Sequence, residues 1–227
     1  MPNAKTSALA NLNLADSMET EMLRIPDPLY PNGRRIWIHK PLLNGKPFPS
    51  YHVVVLFDGW VYTKVIMAQD VINTLVHLDR IAPTLIIAID IQDRQRELRC
   101  NTQTVSLVCD TVLPLVALRH KIALLPQTTV IGGLSLGGLS AAFVGLRRQS
   151  TIGSIFCQSG SFWWKPGDDE HYEWITREYS VYPVLPLNFY VEAGLLETSP
   201  TGGELKGPSI LHSNRNFARL LIPISDE

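Results

Sequence analysis

The feature that most constrains the fold is a series of short apolar runs that do not alternate with polar residues. "YHVVVLFDG" (51–59), "PTLIIAID" (83–90), "TTVIGGLS" (128–135) and "GSIFCQSG" (153–160) are close to continuous in β-branched and other apolar side chains. A strand covered on one face alternates, whereas a strand covered on both faces has no polar side to show. With "RRIWIHKP" (34–41) and "NFYVEAG" (188–194) these runs predict six strands. Segments with helical spacing of apolar positions fall between them, at 64–80, 102–120 and 137–148. The alternation predicts an α/β fold, a mainly parallel sheet with helices on both faces. Pro114 is expected to kink the second helix, because it lacks an N–H and its ring crowds the preceding turn. Residues 165–187, with "KPGDDEHYEW" and several prolines, predict an irregular excursion over the sheet edge. Residues 1–20 predict a loose N-terminal segment ahead of one domain spanning 21–227.

A chain of 227 residues suffices for one sizeable core. Charged residues make up 18% and the formal net charge is -1, which argues against a polyanion-binding surface, so no nucleic-acid partner is expected. There is no basic segment followed by an apolar one at the start, and no uncharged apolar run of about 18 residues. A cytoplasmic, non-membrane protein is the expectation. Cys100, Cys109 and Cys157 form no C-x-x-C pair and are odd in number, so neither a disulfide framework nor a zinc site is implied. They are expected to be reduced.

In a parallel sheet the loops at the carboxyl ends of strands carry the chemistry. Among those loops, Gly133-Leu134-Ser135-Leu136-Gly137 fits G-x-S-x-G, preceded by a strand and followed by an Ala/Gly-rich helix. That pattern is the nucleophile elbow: a sharp strand-to-helix turn that exposes the serine and aims the next N–H at a developing oxyanion. The duller alternative is a small residue in a structural turn. A serine nucleophile needs a base and a group that orients the base, in the chain order Ser, acid, His. Glu197, past the end of "NFYVEAG", is the expected acid, with Glu192 as runner-up and an ordinary solvated carboxylate as the alternative to both.

"LFDGW" (56–60), "AIDIQDRQRELRCN" (88–101), "LPLV" (113–116), "GGLSLGGLSAAFVGL" (132–146), "QSGSFWW" (158–164), "VEAGLLE" (191–197) and "SNRNF" (213–217) occur in order. Over residues 34–219 the chain resembles the catalytic domain of the enterochelin (enterobactin) esterase family, serine hydrolases of the α/β-hydrolase fold that open the trilactone ring of catecholate siderophores. The resemblance implies Ser135 as nucleophile and Glu197 as acid, with Leu136 and the Gly59-Trp60 backbone at the oxyanion hole. It further implies that Arg96, Trp163 and Trp164 bind an anionic, aromatic ferric catecholate, for which guanidinium and indole groups are suited. No metal or other cofactor is implied; iron comes only inside the substrate. Arg94, Arg96 and Arg99 have a competing reading as a solvated cluster paired with Asp90, Asp93 and Glu97, and the tryptophans as core packing.

The family carries its catalytic histidine in a segment beyond "SNR", whereas this chain ends at "IPISDE". The expectation is an α/β-hydrolase fold lacking its last strand and helix, with activity lowered for want of a base. His212 and His171 are the substitutes to examine. Two further functions stay open: a carbohydrate (feruloyl or acetyl) esterase, and a catalytically inert siderophore-binding remnant.

Overall fold

The computed structural model describes residues 17–27, 30–182, 184–202 and 206–222. Its strands are β1 (Met18–Asp27), β2 (Tyr30–Leu43), β3 (Lys46–Pro47), β4 (His52–Leu56), β5 (Thr84–Ile89), β6 (Thr129–Leu134), β7 (Ser154–Gln158) and β8 (Asn188–Glu192). They form one sheet in the order β1-β2-β5-β4-β6-β7-β8, with β3 paired to β2. β2 pairs antiparallel with β1 on one side and β5 on the other, and every pairing from β5 through β4, β6 and β7 to β8 is parallel. All six expected strands are present.

β1 was not expected. Met18–Thr20 pair with His39–Pro41, where a loose segment up to residue 20 was anticipated. The polar "METE" sequence conceals the strand, because pairing with an available sheet edge satisfies backbone groups whatever the side chains. Residues 1–16 of the expected loose segment, and the final 223–227, lie outside the described residues.

Alternate residues of the central strands face two different layers. Val53, Val55, Ile131, Ile155 and Cys157 point into the larger core, while Leu56, Ile86 and Ala88 belong to a smaller cluster on the opposite face. β5 is buried along its whole length. Fully burying one of its isoleucines contributes roughly 1.5–3 kcal/mol, which fixes the register of the sheet centre.

The helices are α1 (Ala68–His77), α2 (Arg94–Glu97), α3 (Thr102–Ser106), α4 (Leu113–His120), α5 (Leu136–Arg147), α6 (Trp174–Ser180) and α7 (Ile210–Leu221). α3, α4, α5, α6 and α7 supply side chains to the larger core; α1 packs Ala68 and Ile72 on the smaller cluster. That second face is consequently half open. A cavity of about 550 Å³ there is lined by Val54, Leu56, Val71, Phe156 and Tyr190, among others. Pro114 disturbs its helix as a wide turn: Leu107–Val112 is a π-helical segment between α3 and α4, and the N–H of Leu113 donates to the carbonyl of Val108, five residues back. The wider turn absorbs the missing N–H and the ring of the proline. α6 lies within the stretch expected to be irregular; Ile175 and Tyr179, four apart, are buried and fix it to the core. Among the described residues no helix is long and apolar enough to cross a membrane.

The loop after β5 is held by a buried charged hub. Arg34, 1% exposed, pairs with Asp27 at 2.7 Å and Glu97 at 2.6 Å. Glu97 also accepts from Tyr30 Oη (2.9 Å) and the N–H groups of Gln92 (2.9 Å) and Asp93 (2.8 Å). With so many donors the buried carboxylate is compensated, and α2 is fixed in place.

Candidate active site

Ser135 sits between β6 and α5 with φ 55° and ψ -116°. A non-glycine residue takes such a backbone only where its surroundings impose it. Here they do: the Ser135 N–H donates to the Gln158 carbonyl (2.9 Å), and its own carbonyl accepts from Leu139 (3.2 Å) and Ser161 (2.9 Å). A Cβ on Gly133 would stand 2.8 Å from the backbone carbon of Gly137, which explains the glycine two residues before the serine. Ser135 Oγ lies 3.1 Å from Ser161 Oγ. Leu136 opens α5, so its N–H is one of those without an acceptor within the helix.

Gly59 and Trp60 belong to a tight turn leaving β4. It begins at Asp58, φ 54°, whose carbonyl accepts from Val61 (2.8 Å) and Tyr62 (3.2 Å). A Cβ on Gly59 would approach the Ala88 carbonyl carbon to 2.8 Å. The Asp58 carboxylate is gripped by Arg94, Nε to Oδ1 at 2.8 Å and Nη2 to Oδ2 at 3.0 Å. A Cβ on Gly137 would be 3.4 Å from Asp58 Oδ2, so this turn packs directly on the start of α5. The turn that carries Gly59 and Trp60 therefore lies against the helix start that carries Leu136.

Glu197 is half-buried past the end of β8. Its Oε2 accepts from Ser159 Oγ at 2.7 Å and from the Gly194 N–H at 2.6 Å, and its carbonyl accepts from Leu211 of α7 at 3.0 Å. Glu192 is engaged elsewhere, accepting from Gln158 Nε2 and Tyr190 Oη, each at 2.8 Å. Tyr190's hydroxyl is pushed above its ordinary pKa by that bond to a carboxylate. Asn214 of α7 fixes the loop between the two serines, donating to the Gly160 carbonyl (2.6 Å) and accepting from its N–H (3.1 Å).

The six histidines all fall among the described residues, and none hydrogen-bonds to Ser135 or Glu197. His39 contacts Thr20 Oγ1 at 3.0 Å, His77 bonds the carbonyls of Asn73 and Leu42, and His120 lies 3.5 Å from Glu21. His52 is exposed at the start of β4, the end of the strand away from the elbow. His171 and His212 are exposed, with backbone N–H groups held by Asp169 and Ser209.

Trp163 and Trp164 line a cavity of about 600 Å³ together with Arg99, Lys165 and Tyr172. Trp164 also meets Trp174 edge-on at 6.0 Å, so it both packs and lines. Arg96 is exposed on α2 and makes no ion pair among the described residues. The solvated arginine cluster does not form as drawn: Arg94 pairs with Asp58, Asp90 with Arg35, and Asp93 caps α2. Ser159, Ser161 and Asp58 were missed as site residues. The double serine of "QSGSF" beside the elbow strand, and the aspartate of "DGW", are the signals that could have found them.

The Esterase family model matches residues 34–217. The chain is 29% identical over 198 residues to the iron(III) enterobactin esterase of Escherichia coli K12, covering 85% of this chain and 46% of that one. It superposes on the Shigella flexneri enterobactin esterase crystallised in the presence of enterobactin with a TM-score of 0.76 at 26% identity, covering 92% of this chain and 51% of that one. A ferulic acid esterase shares the fold at a TM-score of 0.71 and 14% identity, over 90% of this chain and 85% of that one. The chain spans about half the length of the enterobactin esterases it matches.

Proposed function

Since the chain belongs to the esterase family, we propose that it is a serine carboxylic-ester hydrolase directed at ferric catecholate siderophore esters, with Ser135 as nucleophile and Glu197 as acid. The observation that carries this is the strained φ of Ser135 at a strand-to-helix turn, with Glu197 two strands away at the same sheet end, bonded to Ser159 of the intervening strand's loop. Ser135 Oγ adds to the ester carbonyl carbon as its proton leaves to a base. The resulting oxyanion meets the N–H groups of Leu136 and the Gly59-Trp60 turn. Collapse breaks the C–O bond, releases the alcohol with the proton, and leaves an acyl-serine for water to hydrolyse. Cavity residues Arg99, Lys165, Trp163 and Trp164 suit an aromatic anion, and Arg96 remains the substrate-facing arginine of this proposal. Free thiols at all three cysteines agree with a cytoplasmic setting.

The base is the histidine that Glu197 would orient, and none of the six makes that contact in the structure. Without a base in contact with Ser135, turnover is expected to fall several orders of magnitude below that of a complete triad. The absence of a histidine contact to Ser135 or Glu197 among the described residues favours a second reading, a binding protein in which Ser135 is inert.

A fluorophosphonate probe followed by peptide mapping separates the two. Esterase chemistry predicts an adduct on Ser135, absent in Ser135→Ala, together with quenching of tryptophan fluorescence by a micromolar ferric catecholate. Quenching without an adduct in folded protein leaves the binding reading; neither signal removes both.

A further inference from the structure

The Arg94–Asp58 pair is not explained by the nucleophile or the acid. Asp58 is 7% exposed and has a left-handed backbone, a combination costly for a charged residue unless something holds it. Arg94 supplies two nearly parallel hydrogen bonds, at 2.8 and 3.0 Å, the fork geometry that fixes a carboxylate in orientation as well as position. Its Nη2 also lies 3.4 Å from the carbonyl of Leu134, the residue immediately before Ser135. One guanidinium therefore touches both the turn that carries Gly59 and Trp60 and the strand that delivers the nucleophile.

The backbone of Arg94 is itself anchored. Asp93 caps α2 by accepting from the N–H groups of Gln95 and Arg96, and Glu97 at the other end of α2 is locked into the Arg34 hub. The charge of Arg94 matters as well. An uncompensated carboxylate against the first turn of α5 would repel an oxyanion forming at the Leu136 N–H, whereas a paired one presents little net field.

Resting on the esterase reading, we propose that Arg94 is a positioning residue: through Asp58 it holds the Gly59-Trp60 turn in register with Leu136, so that the oxyanion donors come from one rigid unit. Arg94 touches no reacting atom. Lysine cannot replace it fully, because an ammonium offers charge without the fork.

The test measures the inactivation constant and the apparent affinity for the fluorophosphonate in the full chain, in Arg94→Lys and in Arg94→Ala. Hydrogen–deuterium exchange of the segment 57–62 is followed in parallel. Loss of one preorganised oxyanion donor costs about 100-fold or more, so Arg94→Ala is expected to label Ser135 about 100-fold more slowly at unchanged apparent affinity. Millimolar guanidinium is expected to restore part of that rate. Arg94→Lys, which keeps the charge and guards against a folding failure, is expected to fall between the two, with faster exchange confined to 57–62. Labelling rates equal to wild type in both variants overturn the proposal, whether or not exchange changes. If the unsubstituted chain takes no label, the esterase reading fails; exchange then decides alone, and an unaltered 57–62 in Arg94→Lys overturns the positioning role.

Discussion

At the scale of single residues, the elbow is where shape and chemistry are least separable. Gly133 is needed because a Cβ there would press to 2.8 Å on Gly137, and Ser135 is forced to φ 55° by the same close approach of strand and helix. Gly133→Ala must push the elbow apart or unfold it. It is expected to lose about 2 kcal/mol or more of stability and all labelling of Ser135, read by chemical denaturation and by intact mass. Retained labelling at wild-type rate would show that the backbone strain has no part in activating the serine. The buried thiol of Cys157, close to this turn, donates to the Gly138 carbonyl at 3.3 Å, and burial pushes its pKa far up, so it offers no competing nucleophile.

At the scale of elements, β1 and β2 illustrate what a sequence conceals. Four of the six strands legible in advance have nearly continuous apolar runs, and the other two have apolar centres in "IWI" and "FYV". β1 lacks such a run, because it opens on the polar residues Glu19, Thr20 and Glu21, and its stability comes from the ladder with β2. α6 was concealed for a related reason: Ile175 and Tyr179 are too few to set a period. Of the proposed site, Ser135 and Glu197 were candidates in the sequence because a short motif and a strand end single them out. Asp58 and Arg94 were not, since the partners are 36 positions apart in the chain and Asp90, Asp93 and Glu97 offered Arg94 nearer pairings. The β1–β2 ladder also buries His39, 4% exposed, against Thr20. Burial lowers its pKa from the ordinary 6.5 to about 4. Between those values the unfolded chain binds a proton that the native chain does not, so stability is present above the unfolded value and is lost as pH falls from about 6.5 towards about 4. The loss from this one group is on the order of 3 kcal/mol. Urea midpoints across that range are expected to fall for the wild type and to fall less for His39→Gln; equal slopes would assign the pH dependence to other groups.

At the scale of the whole molecule, coverage is uneven. One face of the sheet is packed by five helices of the described residues, while the other has α1 and a cavity of about 550 Å³ along Val54, Leu56, Phe156 and Tyr190. Val71 on α1 and Tyr190 on β8 are 55% and 56% exposed at its margins. Exposed apolar ground of this kind, beside a strand edge, favours dye binding and self-association. The protein is expected to brighten the dye anilinonaphthalene sulfonate and to sediment partly as oligomers at tens of micromolar. The double substitution Val71→Lys and Tyr190→Lys is expected to reduce both. A dark dye and a monomer at all concentrations would mean that this face is covered in solution.

The order of the sheet has a consequence for synthesis. From β4 and β6 at its centre the sheet grows through β7 to β8, so each later strand is delivered to the edge left by the one before. Because the chain emerges N-terminus first, Ser135 leaves the ribosome 62 residues ahead of Glu197. On the nascent chain the proposed acid is thus made later than the proposed nucleophile, and docking of β8 on β7 is what carries Glu197 to Ser159.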